Sequence, residues 1–138
     1  MRQTLAGWVL GAMLAGAAAA QDVQPREPGI EDAISGQLEA FTRDDLDGAF
    51  DFAAPGIQGI FRTPERFGSM VQNGYPMVWR PGEVRFADLI DRNGRLYQQV
   101  EITGPRGGRH LLEYEMLEID GAWRIGGVRI LEAPDPIA

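Results

Sequence analysis

The sequence has no cysteine, no lysine and one histidine in 138 residues. The first absence removes disulfides, thiol nucleophiles, cysteine-ligated zinc and an N-terminal cysteine for lipid attachment. The second leaves arginine as the whole basic complement of 13, a compositional habit from which no function follows. One histidine and no cysteine leave only carboxylates for a metal, and the dense Asp44-Asp45-Leu46-Asp47 group lacks the spacing of a calcium loop. No metal and no cofactor are therefore expected. Long apolar runs are missing too. The apolar-rich stretch from Leu5 to Ala20 has sixteen residues, short of the roughly 20 that cross a bilayer core. Basic character is also scarce: 20 acids against 13 bases give a net charge of -7, which disfavours nucleic acid and anionic membrane surfaces as partners.

What is present is an ordinary globular balance, 44% hydrophobic and 24% charged, in a length that suits one domain. The start, MRQTLAGWVLGAMLAGAAAA, carries one positive side chain, an apolar centre and small residues at Ala18 and Ala20. This is the pattern of a secretory signal peptide over residues 1–20, with an uncleaved anchor as the alternative. The expected location is periplasmic or secreted, with no membrane span after cleavage. The remaining 118 residues hold no cysteine, so packing alone must stabilise them in an oxidising compartment.

Residues 21–29, with two prolines and mixed charge, read as a flexible lead-in. A single α+β domain is expected over 30–132, and 133–138 as a tail. Ile30, Ile34, Leu38 and Phe41 form one helical stripe ending near Thr42. A second helix is expected from about Asp44 to Pro55, its carboxylates explained by capping. A third has Thr63 as N-cap, Pro64 at its first position and Gly74 as a stop.

After Pro81 the apolar period falls to two, which predicts four antiparallel strands. A three-residue Arg92-Asn93-Gly94 loop would put Ile90 opposite Leu96, Phe86 opposite Val100 and Val84 opposite Ile102. Asp120-Gly121 is a type I′ signal that sets Ile125 opposite Met116 and Trp123 opposite Glu118. A bulge at Gly126-Gly127 restores the parity of Val128 and Ile130. The outer face would carry Arg85, Glu101, Glu113, Arg124 and Arg129, with the three helices on the inner face of a curved sheet.

The segment AFDFAAP at 49–55, the TPERFGSMV helix start, the YPMVWRPG connector and the terminal DGAWRIGGVRIL together resemble an exported bacterial family carried as a domain of unknown function. Such proteins are similar in architecture to the nuclear-transport-factor-like, or SnoaL-like, α+β cone. The resemblance implies a pocket between sheet and helices, but fold analogy carries no reaction with it.

In the expected register Asp88 shares the apolar parity, Gln98 lies opposite it, and Tyr114 continues the row. A carboxylate, an amide and a phenol inside an apolar cone could orient a ligand or form a raised-pKa base; the alternative is a self-satisfied buried row. His110 falls at a strand start beside the GPRGG loop, a rim position about 13 Å from Tyr114. Tyr75 and Trp79 in the connector could lid a pocket, form a protein-binding patch, or plug the cone. Ser35 and Ser69 lie in helices without a neighbouring histidine, which disfavours nucleophilic catalysis.

The favoured expectation is an exported, non-catalytic module for a small apolar or amphipathic ligand or a protein partner. The alternative is an isomerase or dehydratase, with Asp88 as general base and Tyr114 as hydrogen-bond donor. A third possibility is a homodimer through the outer sheet face, around Leu111 and Leu117.

Overall fold

The computed structural model describes residues 22–131. The expected signal peptide over 1–20 and the tail over 133–138 lie outside the described residues. Among the described residues five strands form one antiparallel sheet in chain order: β1 (Asp22–Gln24), β2 (Val84–Arg92), β3 (Arg95–Thr103), β4 (Arg109–Ile119) and β5 (Ala122–Leu131). Five helices, α1 (Pro28–Thr42), α2 (Leu46–Asp51), α3 (Pro55–Phe61), α4 (Pro64–Gly74) and α5 (Pro76–Trp79), come between β1 and β2.

The α+β class stands, but the counts of four strands and three helices are corrected. Part of the lead-in, read as flexible, is β1: Val23 pairs with Ile90 and Gln24 with Leu89. The second helix, expected to run to Pro55, ends at Asp51, and Pro55 instead opens α3, because its fixed φ suits a first helical position.

Local chemistry sets most boundaries. Pro28 opens α1, whose buried stripe contains Ile30, Ile34, Leu38 and Phe41. The helix closes with Asp44 in the left-handed region at φ 58. Asp44 N–H donates to the Phe41 carbonyl at 3.0 Å and Asp45 N–H to that of Ala40 at 2.8 Å, a Schellman closure on aspartate instead of glycine. Asp45 then caps α2, accepting from Gly48 N–H at 3.0 Å. The acidic cluster is thus helix punctuation, as its sequence position implies. Thr63 caps α4, its hydroxyl accepting from Arg66 N–H at 3.1 Å. Thr63→Ala is expected to cost about 1 kcal/mol of stability in urea denaturation.

Phe67 joins three helices to α4, with ring centroids 5.8 Å from Phe41, 5.5 Å from Phe50 and 5.7 Å from Phe61. Facing these, Val100, Ile102, Leu112, Met116 and Ile125 from the sheet complete the core.

The β2–β3 hairpin corrects the expected register. Its turn is the two-residue Asn93-Gly94, at φ 58 and 85, so Arg92 pairs with Arg95 and Ile90 with Tyr97. The additional residue sits mid-strand: Phe86 pairs with Val100 but Leu89 with Gln98, leaving a bulge at Ala87-Asp88. Both arrangements restore apolar parity at Phe86 and Val84. The asparagine-glycine pair favours the tight turn, because both positions demand positive φ. The β4–β5 hairpin follows the expected register, with Met116 opposite Ile125 and Glu118 opposite Trp123, and Gly126 is the bulged residue.

One connection ties the helices to β5. Ile125 N–H donates to the Phe52 carbonyl and its own carbonyl accepts from Ala54 N–H, each at 2.8 Å. Farther along, the Val128 carbonyl accepts from the Tyr75 hydroxyl at 3.1 Å.

Candidate functional site

Between these two ties run α3 and α4, which with the sheet border a half-open chamber of about 320 Å³. The roof is Ile57, Ile60 and Phe61 of α3, and one wall is Phe67, Met70 and Val71 of α4. Ile125 and Val128 of β5 form the floor, with Val78 beside them, while Gln37 of α1 and Tyr75 supply the polar side chains. This volume falls within the range of small-ligand sites, and so does the mostly apolar lining. The roof is the least consolidated helix: α3 has no side-chain cap and none of its residues is buried. Ile60 is 70% exposed.

The bulge changes the place of Asp88. It projects from the irregular stretch of β2, exposed and off the inner row. The expected three-residue row therefore shrinks to Gln98 opposite Tyr114. Gln98 is 1% exposed, and its Nε2 donates to the carbonyls of Ala87 at 3.2 Å, Asp88 at 3.4 Å and Gln99 at 3.0 Å. The first two are carbonyls that the bulge displaces from regular pairing, so the amide serves the bulge. Tyr114 is fully buried behind the floor, beside Val128 in the β4–β5 register. Burial pushes its phenol up, and nearby Tyr75 adds to the shift; its hydroxyl stays protonated at neutral pH.

His110 pairs with Ile102 at the sheet end, its ring against the Gly104–Gly108 turn, where a Cβ on Gly104 would lie 3.1 Å from Nε2. It stands apart from the chamber lining. Of the connector aromatics, Tyr75 reaches the chamber and Trp79 does not. Trp79 stacks on Phe41 at 5.6 Å and under Arg80 at 4.6 Å. Arg80 in turn donates to the Phe41 carbonyl at 2.7 Å and to Asp44 at 2.7 Å. That set closes one end of the helical layer.

The outer face holds a second polar feature that strand alternation alone does not reveal. Glu113 is 2% exposed although it faces away from the helices. Arg92 donates to it at 3.2 and 3.1 Å, Arg129 at 3.1 and 2.7 Å, and Gln99 at 3.3 Å. Burial raises its carboxyl, but these donors outweigh it and hold it at about 2. The signal was available in the register, which places Gln99, Glu113 and Arg129 in one row across three strands. Leu117, at 39% exposure, lies on the same face. Among the described residues no group of three or more histidine, aspartate or glutamate side chains is placed to hold a metal ion.

Comparison with known families gives one match: the family model described as a domain of unknown function, DUF4864, covers residues 23–138. The chain belongs to this family. No curated protein and no solved structure matches it. The DUF4864 match spans every helix and all but the first residue of the sheet, so the chamber and the Glu113 cluster both lie within the family's extent.

Proposed function

We propose that this DUF4864 chain is an exported, non-catalytic module that holds a small apolar or amphipathic ligand in the chamber beneath α3. The observation that carries the reading is the chamber itself, a mostly apolar space of about 320 Å³ in a small domain. Its roof, α3, has no buried residue and no side-chain cap, so it is the most easily displaced wall. The layering, helices closing one face of a sheet bulged in β2 and β5, supports a nuclear-transport-factor-like cone as the architecture. Export, with a periplasmic or secreted destination, rests on the leader over residues 1–20.

Retention of a ligand fits these residues better than an isomerase or dehydratase reaction. A general base must reach the substrate proton, and Asp88 stands outside the chamber wall. The test is native mass spectrometry of the mature chain, expressed with its own leader and purified without detergent. An excess mass released on denaturation is expected, and Met70→Trp, which fills the chamber from α4, is expected to abolish it while leaving the fold intact. A bare mass in the wild type that stays bare when 1-decanol is added would overturn the proposal.

A further inference from the structure

The hydrogen-bonding character of the chamber narrows its ligand, on the reading that it is a binding site. Gln37 is 3% exposed and lines the chamber. Its Nε2 donates to the Ala49 carbonyl at 3.1 Å. A carbonyl only accepts, so the amide orientation is fixed by chemistry, with nitrogen toward Ala49 and Oε1 left over. No described residue donates to that oxygen. Among the described residues the fully enclosed side-chain polar atoms without partners are Gln98 Oε1 and the Tyr114 hydroxyl, so Gln37 Oε1 retains some exposure. Gln37 Oε1 therefore opens on the chamber as an acceptor.

Tyr75 has the same polarity. Its hydrogen is committed to the Val128 carbonyl, another group that only accepts, so the phenol offers the chamber lone pairs. Among the described residues the two polar side chains of the lining are both acceptors, and no cationic side chain lines it.

We infer that the ligand is a neutral, mainly apolar molecule carrying one hydrogen-bond donor, a hydroxyl in the simplest case, with Gln37 Oε1 as the acceptor. A carboxylate is disfavoured because it brings no donor and would carry its charge into an apolar space with no cation to meet it. The chamber is about 320 Å³, roughly twice the ~150 Å³ that admits benzene. This sets the ligand at roughly ten to fifteen non-hydrogen atoms.

The test compares three probes on the mature chain by calorimetry: 1-decanol, its isomer 1-methoxynonane, which has the same atoms but no donor, and decanoate at pH 8. Decanol is expected to bind roughly fivefold tighter than the ether, the size of one net hydrogen bond, and decanoate weakest. Gln37→Met is expected to bring decanol down to the ether's affinity and leave the ether unchanged. If the ether equals decanol in the wild type, or decanoate binds best, the inference falls and the chamber reading stands. If none of the three binds, the chamber reading itself falls. The wild-type ratio decides the matter even should the variant fold poorly.

Discussion

Glu113→Gln is expected to lower the unfolding free energy at pH 7 by about 2–3 kcal/mol, and the melting temperature by on the order of 10 °C. The Glu113 side chain is 1% exposed and accepts from two guanidinium groups and an amide. The amide variant keeps the shape but removes the charge and turns an NH₂ toward donors. Breaking a fully buried pair costs about 3–5 kcal/mol; here Arg129 is 64% and Arg92 28% exposed, so water recovers part of the loss. The pH dependence has a defined sign. A carboxyl held at about 2 in the fold, against an ordinary 4.5, contributes its full stability above the higher value. It loses that contribution as pH falls from 4.5 through 2. The glutamine variant lacks this slope, so urea denaturation should show the gap between the two proteins closing as pH drops from 5 toward 2.5. A gap that stays constant across that range would refute the account.

Tyr114→Phe should act in the opposite direction, raising stability by about 1–2 kcal/mol. The Tyr114 ring is fully buried, and no described residue partners its hydroxyl. Removing an unpaired buried hydroxyl relieves its desolvation and leaves the ring packing in place. A destabilised Tyr114→Phe would show that the hydroxyl is satisfied within the native protein.

Much of the fold was readable because short sequences with strict backbone demands set it. Asp44-Asp45 ends one helix and caps the next, Thr63-Pro64 starts another, and Asp120-Gly121 and Gly126 set the β4–β5 register. The β2–β3 register was misplaced because parity counts one extra residue without saying where it lies. A bulge at Ala87-Asp88 and a longer turn satisfy Phe86 and Val84 equally. That ambiguity moved Asp88 out of the candidate row and gave Gln98 its structural task. In α3, Gly56 and Gly59 weaken the helical signal, so the roof of the chamber is not among the three helices expected from the sequence. The chamber itself is a space between elements, and no residue pattern announces it. Glu113 was assigned to the correct face, but its burial comes from long side chains on other strands folding over it.

The contacts that Phe52, Ala54 and Tyr75 make with β5 also bear on how copies of the chain meet one another. An open sheet presents edge strands whose unpaired amides and carbonyls can template the pairing of a second molecule. In β5 the Ile125 amide and carbonyl and the Val128 carbonyl are already occupied. At the opposite edge β1 contributes only three residues. Among the described residues, neither edge offers a long continuous ladder, so edge-to-edge aggregation has little template even where many copies are crowded together without disulfides. Displacing α3 leaves this protection intact as long as the ties at Ala54 and Tyr75 hold. Ligand exchange would then leave the occupied backbone groups of Ile125 and Val128 paired.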